Sequence, residues 1–142
     1  MKKQAWLTVS YILAMGYVSL GYFFYDWSFK MVPYAGKKFD PNMILDLFSE
    51  SFLVLVGVSI LLSSVFIAKQ KPYATKFHLV VFCFDFFILI LGSLITSYLV
   101  FRNDFLENFA GVIGLLLIMY APAIIFFFIS RKIVLDQRHW PL

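Results

Sequence analysis

The chain has 142 residues, of which 62% are hydrophobic and only 14% charged, and it carries a formal net charge of +4 at pH 7. Soluble domains run at about 45–50% apolar and about 25% charged, and a chain this short buries only about two-thirds of its surface, so an aqueous fold is excluded and the surplus must face lipid. The single cysteine excludes an intrachain disulfide and a cysteine-based metal site, and the absence of a basic patch on any soluble element excludes nucleic acid as a partner.

Residues 4–25, 51–68, 77–101 and 108–130 hold no Lys, Arg, Asp or Glu, with Asp85 the one exception. A helix rises about 1.5 Å per residue, so roughly 20 apolar residues cross the hydrocarbon core, and each run meets or nearly meets that length. None shows the alternation of polar and apolar residues that a barrel strand needs. The expectation is an all-α membrane protein: a four-helix transmembrane bundle forming one domain over residues 1–142, with helices at approximately 5–25, 43–68, 77–101 and 108–130 and an outer loop at 26–42.

The first run follows Lys2 and Lys3 and contains the small-x-small stretch Ser19-Leu20-Gly21. The bulky stretch Tyr22-Phe23-Phe24-Tyr25 comes directly afterwards, so this segment is expected to be an uncleaved anchor rather than a signal peptide. Ahead of the second run, Asp40-Pro41 is a good helix start, because Asp can cap free N–H groups and Pro fits the first helical position. Asn42, Asp46 and Glu50 then fall four apart on one face. Asp46 and Glu50 form an acidic outer face that could bind a cation or a basic partner, with a solvated interfacial face as the plainer reading. Small residues four apart, Ser10/Ala14, Ser59/Ser63 and Ala110/Gly114, allow close helix approach.

The third run holds the most informative residue. Asp85 lies near mid-membrane, where a charged carboxylate costs about 2.5–3.5 kcal/mol on insertion scales, so it must face other helices or water, or else carry a proton. His78, Asp85 and Gly92 are seven apart, and Ser93 and Thr96 extend the same face with Phe82 and Leu89 between them. Leu79, Phe86 and Ile90 lie opposite, so the helix has a polar, small-residue seam and a lipid face. Two readings follow for Asp85, His78, Ser93 and Thr96. In one, Asp85 is a proton or cation site with His78 as a relay. In the other, it is a hydrogen-bond anchor between helices, with Tyr17, Ser59, Ser63 or Tyr120 as partner. Cys83 is expected as a buried apolar filler.

The third and fourth runs are joined by a short connection in which Asp104-Phe105-Leu106-Glu107 resembles a capping box, so a tight antiparallel hairpin is expected. Pro122 removes the amide that would pair with the Ile118 carbonyl, which predicts a kink.

Orientation follows from basic residues. Lys2, Lys3, Lys69, Lys71, Lys76, Arg131, Lys132 and Arg138 fall on one side of a four-pass layout, against Lys30, Lys37, Lys38 and Arg102 on the other. The positive-inside rule then places both termini in the cytoplasm. Tyr22, Tyr25, Trp27, Tyr98 and Phe101 are expected to mark the outer interface, and Trp6, Tyr73 and Trp140 the inner one.

No phosphate-binding glycine loop, HExxH or nucleophile elbow is present, and the two histidines, His78 and His139, lie on separate segments, so neither enzyme chemistry nor a metal or other cofactor is expected. In size and four-pass layout the chain is similar to colicin immunity proteins and to small transporter subunits. Two functions are therefore expected as alternatives: a non-enzymatic accessory, assembly or immunity-type partner of another membrane protein, or an oligomeric proton- or cation-coupled transporter centred on Asp85. The expected partners are the lipid bilayer and another membrane protein or a second copy. The short basic start and compact loops point to a bacterial inner (plasma) membrane.

Overall fold

The computed structural model describes residues 3–31, 42–69 and 73–135. These residues form four α-helices, α1 (Lys3–Met31), α2 (Asn42–Ala68), α3 (Ala74–Phe101) and α4 (Phe105–Leu135), with one 3-10 turn, Arg102–Asp104, between the last two. Three apolar stretches are long enough to cross a membrane: Gln4–Asp26, Met43–Ala68 and Lys76–Lys132. The all-helical fold is thus compatible with a multi-pass membrane protein.

The last stretch is folded back on itself. Arg102 has φ 42°, and its N–H donates to the Tyr98 carbonyl, closing the end of α3. Beyond the turn, His78 near the start of α3 reaches the backbone of Phe127 near the end of α4. Tyr98 meets Phe105 beside the turn, and Phe82 meets Phe127 further along, so the two helices run antiparallel.

The reversal also corrects an expectation. α4 begins at Phe105, directly after Asp104 as the capping box requires, but among the described residues the Asp104 carboxylate accepts no hydrogen bond from the Glu107 N–H. Instead, the Asn108 side-chain amide donates to the Asp104 carbonyl at 2.9 Å. The 3-10 turn pairs backbone groups three apart, which leaves less for a side-chain cap to satisfy.

The helices also overrun the expected spans. α1 continues to Met31, into the segment expected as outer loop, and α4 covers 105–135 rather than 108–130. Charged and polar residues end an apolar run without ending the backbone hydrogen-bond ladder, so charge-free length underestimates helix length. The helix start expected at Asp40-Pro41 falls outside the described residues, and α2 is helical from Asn42.

α2 is the central helix: over an apolar 18-residue segment of each stretch, 50% of the residues are buried in α2, against 22% in α1 and 28% in the 76–132 stretch. It meets α1 through two glycines in antiparallel register. A Cβ on Gly21 would lie 2.7 Å from Val54 Cγ2 and 2.9 Å from the Glu50 carbonyl oxygen. One on Gly57 would lie 2.7 Å from Val18 Cγ2 and 2.8 Å from the Ala14 carbonyl oxygen. Each valine thus sits over the other helix's glycine, and the missing side chain permits the approach.

α1 touches α4 through longer side chains. Trp6 stacks on Phe126 with ring centroids 5.8 Å apart, and its indole N–H donates to Ser130 Oγ at 3.0 Å. Trp6 is 1% exposed, so it belongs to the core and not to an interfacial belt as expected. Its large apolar body and single donor are both satisfied inside. Tyr22, Tyr25, Tyr98 and Tyr73 are exposed, while the side chain of Trp27 and all of Trp140 lie outside the described residues.

Candidate functional site

The four helices enclose a core that is unusually polar for its setting. Ser10, Ser59, Ser63, Ser64, His78, Asp85, Ser93, Thr96, Ser97 and Ser130 are all buried. Buried away from water, each such group must find a partner among the helices or remain unpaired.

Asp85 is fully enclosed. Its Oδ1 accepts a hydrogen bond from Ser59 Oγ on α2 at 2.9 Å, while Oδ2 makes no hydrogen bond. Of the four expected partners, Ser59 alone bonds to it. The Tyr120 hydroxyl on α4 is likewise buried without a hydrogen bond, and it lies within electrostatic reach of Asp85 and Tyr17. The Ser63 hydroxyl, one turn along α2 from Ser59, is also unpaired.

The remaining seam residues are turned inward on the same face of α3, yet they do not assemble around Asp85. His78 Nε2 lies 3.0 Å from the Phe127 carbonyl oxygen, which can only accept, so this nitrogen carries the proton. Ser93 donates to the Leu89 carbonyl at 2.6 Å and Thr96 to the Gly92 carbonyl at 2.7 Å, both within α3. Hydroxyls that bond one turn back are satisfied locally and need no second helix. No hydrogen-bonded chain links His78 to Asp85, which stand two turns or about 10 Å of helix rise apart. Two turns beyond Asp85, Gly92 makes room for the ring of Phe48 on α2.

Leu79, Phe86 and Ile90, on the other side of α3, are exposed. Cys83 is exposed with them rather than buried as expected. Two residues at 100° each turn its side chain about 160° away from that of Asp85, so the burial of one sets the exposure of the other.

The sequence gives no direct sign of the contact made by Tyr17. Its hydroxyl donates to the Met119 carbonyl at 2.7 Å and accepts from the Ala123 N–H at 3.2 Å. Those two groups are four residues apart and would pair with each other in an ideal α-helix. The phenol therefore enters the backbone ladder of α4 beside Pro122, where the proline has already removed one amide. The available signal was Pro122 itself, which marks a backbone in need of outside partners, although nothing in the sequence names Tyr17 as the one that supplies it.

Asp46 and Glu50 do not form a common solvated face. Asp46 is exposed, whereas Glu50 is 5% exposed. The i, i+4 step advances the helix by about 40°, and Glu50 stands one turn before Val54, on the side that closes over Gly21. The two carboxylates share only the rim of a cavity of about 150 Å³ with Phe24, Ser49, Leu53 and Met119. Glu50 also borders a second cavity, of about 380 Å³, against Tyr22 and Tyr25 of α1. Among the described residues, no three His, Cys, Asp or Glu side chains converge as metal ligands.

The Ser59–Asp85 bond gives a direct test. Ser59→Ala is expected to cost about 0.6 kcal/mol and at most about 1.7 kcal/mol, the range found for hydrogen bonds between membrane helices. A double-mutant cycle with Asp85→Leu, read by reversible unfolding in bicelles, should show coupling of that size. Strict additivity of the two substitutions would mean the bond contributes nothing.

Comparison with protein-family models, curated proteins and solved structures returned no match for this chain.

Proposed function

We propose that this chain is a four-pass protein of a bacterial inner membrane, with both termini in the cytoplasm, that acts without enzymatic chemistry as an accessory, assembly or immunity-type partner of another membrane protein. The 57 residues of Lys76–Lys132 support the fourth crossing. As one straight helix they would span about 86 Å, nearly three times the roughly 30 Å hydrocarbon core. Bent at Arg102, they supply two legs of suitable length. The excess of Lys and Arg in the termini and in the 69–76 connection supports the orientation.

The observation that carries the partner reading is the closure of Asp85. It has no exposed surface and is bonded to Ser59. Neither the cavity beside Arg131 nor the two that border Glu50 reach it. A carboxyl sealed between helices acts as an internal tie, which leaves the outer helix faces to make the functional contacts. On α4, Ala110 and Gly111 are exposed, and a Cβ on Gly111 or Gly114 would meet nothing within 4 Å, so another helix could approach there closely.

A second reading, the oligomeric proton- or cation-coupled transporter, draws on the unpaired Asp85 Oδ2 and the unpaired Tyr120 hydroxyl. Asp85→Asn separates the two, because an amide oxygen still accepts from Ser59 while the amide cannot carry the acid's proton or charge. On the partner reading, this variant inserts normally and still purifies in a defined complex with a second membrane protein. On the transporter reading, it abolishes ion or proton flux in proteoliposomes at unchanged abundance. Cysteine labelling tests the topology separately: positions in 69–76 and 102–104 should be accessible from opposite sides, and labelling of both from one side would reject the four-pass arrangement.

A further inference from the structure

We infer that the groove between the start of α3 and the end of α4 is a binding site for one anionic phospholipid, an inference that rests on the four-pass reading. A cavity of about 160 Å³ lies there, lined by Lys76, His78, Leu79, Phe82, Phe127, Phe128 and Arg131. Its chemistry is divided. Lys76 and Arg131 stand at one end, one from each helix, and both are exposed. Among the described residues no acidic side chain pairs with either of them. The other end is a wall of Phe82, Phe127, Phe128 and Leu79.

An occupant must match both ends. Two cations that meet no acidic side chain among the described residues, facing one cleft, call for an anion. The guanidinium of Arg131 can hold two phosphate oxygens at once, and the ammonium of Lys76 adds a point charge. The apolar wall calls for hydrocarbon next to that anion. Small-molecule pockets usually measure about 300–1,000 Å³, so this cavity can enclose only part of its ligand. Leu79 and Phe128, at its edge, are 52% and 60% exposed, so the rest of the ligand continues along a lipid-facing surface. A phospholipid meets these requirements: its phosphate rests on Lys76 and Arg131, and the first part of an acyl chain lies against Phe82 and Phe128. The site is at the end of the bundle that holds the start of α1 and the end of α4, which the basic residues assign to the anionic cytoplasmic leaflet. The floor is preorganised, because His78 is fixed to the Phe127 backbone and Phe82 packs edge-on against both Phe127 and Phe128.

The test uses the full chain in nanodiscs of equal parts phosphatidylglycerol and phosphatidylcholine, with retained lipid counted by native mass spectrometry. One phosphatidylglycerol should be retained in preference to phosphatidylcholine. Each surface cation is worth about fivefold in affinity for anionic lipid, so K76Q/R131Q should weaken retention by about 25-fold. K69Q/K132Q removes the same charge at the same end but outside the groove, and should leave retention intact, as should the charge-preserving K76R/R131K. Millimolar inorganic phosphate should fail to displace the lipid, since it lacks the chain. Equal retention by wild type and K76Q/R131Q, an equal loss in K69Q/K132Q, or displacement by free phosphate would each overturn the inference. Because the labelling experiment above settles topology without reference to lipid, a correctly threaded chain without selective retention would fail this inference alone.

Discussion

Replacing Gly57 with leucine is expected to destabilise the protein by about 3 kcal/mol, and Gly57→Ala by about 1 kcal/mol, because overpacking a closed seam typically costs about 1–3 kcal/mol. Even the first added carbon would meet Val18 Cγ2 at 2.7 Å and the Ala14 carbonyl oxygen at 2.8 Å. The valine could rotate away, but the carbonyl is backbone and can yield only if α1 moves as a whole. The same substitution at Gly16, in the same pair of helices, is a matched control because a Cβ there meets nothing within 4 Å. Gly16→Leu should therefore change stability by less than about 0.5 kcal/mol. Reversible unfolding in mixed micelles, or steric trapping in bicelles, measures both. Equal stability of the two leucine variants would show that α1 and α2 do not meet in this register.

Trp6→Ala is expected to be the most damaging single truncation, at about 3–5 kcal/mol, the range for removing a large aromatic side chain from a packed core. Trp6 is 1% exposed, stacked on Phe126 and bonded to Ser130. Removing it takes away both the packing and the donor at the place where α1 meets α4. Trp6→Phe divides the loss, since it keeps most of the ring contact and gives up only the hydrogen bond, worth about 1 kcal/mol. Ser130→Ala should match Trp6→Phe in size, and the pair should be strongly non-additive, because either change alone already breaks the same bond. The measurement is again unfolding, paired with crosslinking between cysteines placed in α1 and α4. A Trp6→Ala protein that unfolds and crosslinks like wild type would mean that the Trp6 contact does not hold α1 to α4, leaving that role to α2 and to the Tyr17 bonds.

Both experiments probe contacts that cannot be read along the chain. Gly21 and Gly57 do not stand out as a motif, since they are on different helices and matter only because a valine from the other helix covers each. Trp6 reads as an interfacial aromatic near a basic terminus, and its true environment depends on Phe126 and Ser130, more than a hundred residues away. The Glu50 side chain looks solvated from its spacing with Asp46, but the direction in which α2 presents it is set by the packing of Val54 on Gly21. For Asp85, helical spacing names the neighbours on its own face, while the choice of Ser59 over Ser63, Tyr17 and Tyr120 belongs to the fit between helices.

The amino-acid sequence by itself determined that the chain is helical, with apolar stretches compatible with crossing a membrane, and where those stretches lie. Those properties depend on local composition and on the need to satisfy each backbone group within its own segment, and both are written in consecutive residues. Only the tertiary structure decided which polar group meets which. It pairs Ser59 with Asp85, brings Tyr17 into the α4 backbone at Pro122, turns Glu50 inward and leaves Cys83 facing out. Among helices in hydrocarbon, one apolar face resembles another, so burial gives little guidance to pairing. Close contact and hydrogen bonds make the choice, and they depend on residues brought together from distant parts of the chain.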